Sequence, residues 1–424
     1  MLKLQNKGSY FFLLGLFFLP SAFPVSIIFL FLSLIISLRS GHKKFNLDKK
    51  NFLFITISLL MIFSNFRYLF TRAEVLTPIG KHSSWLDLFN WIPLFFCFFG
   101  FQKYLKTEKD RKTVAKTLLI SSVPVIASCI AQMWFGWYGP FSTLNGLIVW
   151  FQKVPTNSSA TGLFSNANYA GFWFASIFPF TIFCLSERKK NIFLLLNLFL
   201  ITYFLILTNS RNAVLGFLVS IPLLFGIKYF FIIIFLLILL SFLLFSNNFV
   251  LLEKEIFQNF LPYKFIEKMS KFDIFNIGNS IRFDIFSRAI KYINLRPLFG
   301  WGASIFPMIY LLSGPEGDLN IQHTHNINLE LAFNYGIPVS ILLTYLVSII
   351  LASSFKLIYF NQKYNSLINK SWFASTVVVI LYNLTDIIYY DGKFSILSWI
   401  LLAGLNCIIE ENKSLIHENN SNDQ

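Results

Sequence analysis

The stretch Gln322-His323-Thr324-His325-Asn326 places two imidazoles one residue apart, just before a long apolar run. Histidine is the side chain whose ordinary pKa lets it take or give a proton near neutrality. Alternating as in an extended segment, the two rings suit proton transfer or a shared metal ion. Zinc would need at least a third ligand. The nearby acids Glu316, Asp318 and Glu330 have no recognised ligand spacing, so no metal is expected. Asn326 or His325 is a natural helix start, and the positive end of a helix disfavours imidazolium, leaving His325 neutral and able to accept a proton.

Three other places concentrate polar groups that a lipid-facing helix would not keep. Thr208-Asn209-Ser210-Arg211-Asn212 joins two apolar runs with almost no loop and pins Arg211 at the mouth of a helix pair. Its planar fork of donors matches phosphate oxygens bidentately. Apolar residues at 281, 285, 286, 289, 290 and 293 predict an amphipathic helix along the outer surface. Asp284 stands four residues before Arg288 and gives it a helical partner, which makes Arg282 the ligand-facing cation and Arg288 the structural one. Thr161 to Gly171 combines small residues with the amides of Asn166 and Asn168, so that backbone or helices can approach closely. Asp386, near the outer end of an apolar run, is an intramembrane acid, hence a site residue or the partner of an arginine.

The elements that must hold these groups follow from composition. Hydrophobic residues make up 55% of the 424 and charged residues 13%, with mean hydropathy +0.62, too few charges to cover a water-soluble surface. The chain reads as an all-α polytopic membrane protein with about twelve transmembrane helices. Apolar runs lie at about 10–22, 23–38, 51–70, 85–102, 114–134, 161–185, 191–208, 213–227, 229–246, 326–355, 371–390 and 394–409. A tight hairpin at Pro20-Ser21-Ala22-Phe23-Pro24 puts both flanking basic clusters on one side, as the bias of short cytoplasmic loops for Lys and Arg prefers. Both termini are then cytoplasmic. The layout is nine spans in 1–246, a large periplasmic loop over 247–325, three spans in 326–409 and a cytoplasmic tail at 410–424. Cys97, Cys129, Cys184 and Cys407 sit in apolar runs or at their edges and indicate no disulfide framework. No nucleic-acid partner is expected.

The ordered motifs Gly-Leu-Phe-Ser-Asn-Ala-Asn-Tyr (162–169), Asn-Ser-Arg-Asn-Ala (209–213), Ser-Ile-Arg (280–282), Arg-Pro-Leu-Phe-Gly-Trp-Gly (296–302), His-Thr-His-Asn-Ile-Asn-Leu-Glu-Leu (323–331) and Tyr-Gly-Ile-Pro (335–338) resemble the O-antigen ligase and Wzy-type polymerase superfamily. The likeness runs from about 160 to 345; the first 150 residues match only in hydropathy. It implies a GT-C-like glycosyltransferase in the bacterial inner membrane with its site on the periplasmic face. The donor would be a glycan on undecaprenyl diphosphate and the acceptor a hydroxyl of lipid A-core or of another glycan. Membrane lipids and a chain-length regulator are further partners, and neither cofactor nor metal is implied. By position, Arg211 and Arg282 match the family's diphosphate-binding arginines and His325 its loop histidine, with Arg288, His323, Asn326, Asn166, Asn168 and Asp386 as further substrate-binding candidates. Asn212 departs from a common glycine and Ala167 from a common proline, which loosens the subfamily. A transporter or flippase for a lipid-linked glycan or anionic solute is the alternative from another class, and a protein O-oligosaccharyltransferase is a variant of the same chemistry. A transporter would place ionisable residues inside its spans, whereas these spans are nearly uncharged.

Overall fold

The computed structural model describes residues 2–39, 49–70, 84–155, 159–188, 191–229, 231, 232, 235, 281–312 and 321–422. The ninth expected span, 229–246, lies almost wholly outside these residues, as do the first half of the large loop and the acids Glu316 and Asp318.

The N-terminal apolar runs form α1 (Leu2–Phe18) and α2 (Phe23–Arg39), packed as the expected hairpin. Ala22 N–H donates to Phe18 O at 2.8 Å and Ser26 Oγ to Gly15 O at 2.7 Å, closing the turn. Then come α3 (Lys49–Phe70), α4 (Ile92–Phe101), α5 (Glu108–Trp134) and a small hairpin of β1 (Phe141–Thr143) and β2 (Ile148–Trp150). The second half holds α6 (Ala167–Glu187), α7 (Ile192–Leu207), α8 (Arg211–Phe225), α9 (Ile281–Leu295) and α10 (Phe306–Leu312). It ends with α11 (Ile327–Tyr335), α12 (Ile337–Phe360), α13 (Leu367–Thr385) and α14 (Gly392–Asn422). Among the described residues, six helices are long and apolar enough to cross a membrane and four more are shorter apolar helices.

Helix ends differ from the hydropathy reading where polar groups stop or start a helix. The run at 161–185 becomes helical only at Ala167, because Asn166 caps it and accepts from Asn168 N–H at 2.8 Å. The run at 371–390 ends at Thr385, so Asp386 stands just past a helix rather than inside one. The tail at 410–424 continues α14 to Asn422, tied down where Glu411 meets the fully buried Arg111 at 3.0 Å. The expected single span at 326–355 breaks at Gly336 into α11 and α12.

That break has a specific backbone partner. Gly336 has φ +98° and Gly300 has φ +63°, a region open to glycine at little cost. The segment 297–302 docks there backbone to backbone. Trp301 N–H donates to Phe333 O at 2.7 Å, Gly302 N–H to Asn334 O at 3.0 Å, and Ile337 N–H to Pro297 O at 2.7 Å. A β-carbon on Gly336 would lie 2.2 Å from Leu298 O, and one on Gly300 2.4 Å from Phe333 O. The Arg-Pro-Leu-Phe-Gly-Trp-Gly and Tyr-Gly-Ile-Pro motifs are thus two halves of one junction that sets the angle of α11.

α13 is the central helix, packed on α6 and α8 on one side and on α14 and α12 on the other. The approach of α8 depends on Gly171, where a β-carbon would meet Ala213 Cβ and Thr208 Oγ1 at 2.8 Å. Gly336→Ala is expected to cost about 2 kcal/mol or more, from left-handed strain and the clash with Leu298 O. The thermal midpoint of the detergent-solubilised protein measures this, and an unchanged midpoint contradicts it.

Candidate active site

The C-terminal end of α13 is surrounded by the starts of α6, α8 and α11. Ser210 caps α8, and its Oγ lies 2.8 Å from Tyr382 Oη on α13. Tyr382 Oη also donates to Asn168 O at 3.2 Å. Asn326 caps α11 by accepting from Asn328 and Leu329 N–H, while its Nδ2 donates to Leu384 O at 2.9 Å. Each link joins a helix N-terminus to the last turn of α13, where unsatisfied carbonyls need donors.

Asp386 stands at the meeting point. Its Oδ1 lies 2.8 Å from His325 Nδ1, and its Oδ2 accepts from Asn168 Nδ2 at 3.4 Å. Burial raises the pKa of this carboxyl, but the His325 hydrogen bond and the charges of His325, His323 and Arg282 outweigh burial and hold it below the usual carboxylate range. An ionised carboxylate only accepts, so Nδ1 of His325 is the donor in this bond and Nε2 is the ring nitrogen left for another partner. The acid near the end of an apolar run thus pairs directly with a histidine and feels an arginine only through its charge.

The His-x-His loop is held tightly. His325 adopts φ +55°, a left-handed conformation that costs a non-glycine residue roughly 1 kcal/mol or more. Its N–H donates to His323 Nδ1 at 3.2 Å, and Thr324 Oγ1 donates to Asn326 O at 3.0 Å. The His323 pKa is pushed down to about 4, first by burial and then by the neighbouring His325. His323 is therefore neutral near pH 7 and acts on the loop through its ring nitrogen. His323, His325 and Asp386 also present ligand atoms within 4.8 Å of one another, so among the described residues Asp386, and not Glu330, completes a set that could hold a cation.

The arginines separate. Arg288 Nε lies 2.8 Å from both oxygens of Asp284, its guanidinium sits 5.0 Å from the centre of the Tyr310 ring, and Tyr310 Oη donates to Asp284 at 2.7 Å. The amphipathic helix buries Ile285, Ala289 and Ile293, whereas Ile281 and Ile290 remain exposed. Arg282 is exposed in the first turn of this helix, with its charge reaching Asp386. Arg211 is the exposed first residue of α8, beside the Ser210 that bonds Tyr382 one turn below Asp386. Asn166 is committed to capping α6.

Beneath the site lies a cavity of about 210 Å3 between α11, α12, α13 and α14, bordered by Asn328, Leu331, Thr344, Val347, Asn383 and Tyr389. Its lining reaches Leu384, two residues from Asp386, and Ile327, two from His325.

The described helices thus bring a histidine–carboxylate pair together near two exposed arginines. Residues 196–344 match the sequence model of a family described as O-antigen ligase. The matched region makes up about a third of the chain and is similar to that family over this stretch. Among curated proteins none matches the chain.

Because the folded His323 pKa of about 4 lies below the ordinary 6.5, the unfolded chain takes up its proton first as pH falls. Stability contributed here therefore declines from about pH 6.5 toward pH 4. His323→Gln should make the thermal midpoint fall less steeply across that window than in the wild type, and parallel curves contradict this.

Proposed function

We propose that this protein transfers a glycan from undecaprenyl diphosphate to an acceptor hydroxyl on the periplasmic face of the bacterial inner membrane. His325 is the general base, Asp386 orients it, and Arg211 and Arg282 hold the diphosphate. The observation that carries this reading is the 2.8 Å bond between His325 Nδ1 and Asp386 Oδ1, which leaves Nε2 to take a proton.

In the reaction the acceptor oxygen attacks the anomeric carbon and its proton passes to His325 Nε2. The bond from that carbon to the diphosphate breaks, and the electron pair leaves with the diphosphate. Single displacement inverts the anomeric configuration. Charge grows on the diphosphate oxygens in the transition state, where fixed cations act most strongly. Arg211 and Arg282 both lie in the first turn of a helix. A cation there adds to the positive helix end instead of offsetting it, which is unfavourable for the helix and favourable for a bound anion. The scheme routes no step through a metal, although the His323, His325 and Asp386 set could bind one as an inhibitor. The cavity beneath the site suits the hydrocarbon chain of a lipid carrier.

This reading keeps about twelve spans of GT-C-like arrangement, with nine in 1–246, a periplasmic loop over 247–325, three in 326–409 and a cytoplasmic C-terminal segment at 410–424. The acceptor is a hydroxyl of lipid A-core in a ligase, or of the next repeat unit in a polymerase. Deleting the gene and running the envelope glycans on a gel separates these. Long chains left on the carrier lipid mark a ligase, and single repeat units on core mark a polymerase.

With purified protein, a diphosphate-linked glycan and an acceptor, His325→Ala should lower kcat by about a hundred- to ten-thousandfold. Arg211→Ala and Arg282→Ala should each lower kcat/KM by at least about tenfold. Full transfer by all three variants sinks the assignment, and abolition of transfer by a chelator replaces the metal-free scheme.

A further inference from the structure

Glu330 is a carboxylic acid in the first turn of α11, only 3% exposed, that the reaction scheme does not use. Burying such a group is costly unless hydrogen bonds compensate it. Its described partners are three neutral donors. Thr324 N–H donates to Oε2 at 2.9 Å; Asn334 Nδ2 and Tyr390 Oη donate to Oε1 at 3.2 and 3.3 Å. Asn334 Nδ2 also reaches Tyr390 Oη at 3.3 Å, so the three side chains close a ring of contacts.

Two of those partners belong to the loops that carry the proposed chemistry. Thr324 lies between His323 and His325, and Tyr390 lies four residues past Asp386 in the segment joining α13 to α14. One side chain therefore ties the histidine loop to the aspartate loop from behind, while the 2.8 Å bond joins them in front. The backbone supplies the reason a tie is needed. His325 sits at φ +55°, and a residue with a β-carbon stays there only where its surroundings over-determine it. The Thr324 N–H bond anchors the residue immediately before it.

The helix itself does not depend on this acid. α11 is capped by Asn326 at its start and fixed at its end, where Phe333 O and Asn334 O accept from Trp301 and Gly302 N–H. An apolar residue at 330 would serve a merely structural helix at lower cost. We propose that Glu330 is a positioning residue whose carboxylate locks the His323-Thr324-His325 loop to the Asp386–Tyr390 segment, so that the Nδ1 of His325 stays on Asp386 and its Nε2 stays aimed at the acceptor hydroxyl. This deepens the reading of His325 as base and rests on it for its catalytic consequence, though not for its structural one.

The test uses the full-length protein in detergent, with hydrogen exchange on the peptide covering 321–330 alongside steady-state kinetics. Glu330→Leu should speed exchange in that peptide at least about tenfold while leaving α12 and α13 unchanged. It should lower kcat by about a hundredfold, the cost of misplacing a reacting group by about 1 Å, with KM for the donor within about threefold. Glu330→Gln still offers an oxygen to Thr324 N–H and should restore most of both. Unchanged exchange in Glu330→Leu, kcat within about threefold of wild type, or a Gln variant as impaired as Leu would each overturn the proposal. If Glu330→Leu does not fold, Tyr390→Phe removes one of the two loop contacts and leaves every residue of the helix itself unchanged. It should lower kcat several-fold at constant KM, and an unchanged kcat overturns the idea. A wild type without transfer activity defeats the glycan-transfer reading alone, because the exchange measurement still decides the clamp.

Discussion

The carboxylate of Asp386 is the point on which this end of the bundle, at the C-terminus of α13, depends. It closes α13, receives His325 on one oxygen and Asn168 on the other, and lies within reach of the charge of Arg282. Three segments distant in sequence are thereby held within one hydrogen-bonding shell, and a fourth lies within its electrostatic reach. A half-buried carboxylate tolerates its desolvation only with such donors around it, so its presence dictates what its neighbours must be. The start of α6 brings Asn168, and the loop leading into α11 brings His325.

A common electrostatic logic runs through this arrangement. The C-terminal end of α13 is a negative pole with unsatisfied carbonyls, and the N-terminal ends around it are positive poles with unsatisfied N–H groups. Asn166, Ser210 and Asn326 cap their own helices, and Asn326 and Ser210 also reach into the last turn of α13. The caps are therefore satisfied inward, while Arg211 remains exposed at the rim beside one of them. Helix starts gathered in this way favour a bound anion.

The break at Gly336 gives α11 its separate orientation. A continuous helix from Ile327 to Phe360 would follow the axis of α12. Instead the turn at 297–302 inserts its backbone against Phe333, Asn334 and Ile337, where only glycine leaves room at 300 and 336. The break frees α11 from the axis of α12, so that its N-terminus, Glu330 included, can address the last turn of α13 and the loop beyond it. The loop motif and the glycine-proline motif are thus linked to the histidine motif through geometry rather than through shared chemistry.

Much of this was legible in the sequence. Hydropathy alone identifies a helical membrane protein, because too few charges remain to cover a water-soluble surface. Local spacing marked Asn326 as a helix start and paired Arg288 with Asp284, since both are contacts within a turn or two of one helix. Asp386 stood out as an acid at the edge of an apolar run, but its partner could not be read, because His325 lies sixty-one residues away and nothing local encodes that distance. Glu330 entered only among acids near the histidines; its place behind the loop depends on the break at Gly336, which a hydropathy plot smooths over. What the sequence determined by itself was therefore composition, caps and periodicity, all short-range properties of the chain. Which helix end meets which, and so which acid orients His325 and which one holds its loop, was decided by tertiary packing, where a buried polar group takes whatever donor the fold brings within about 3 Å.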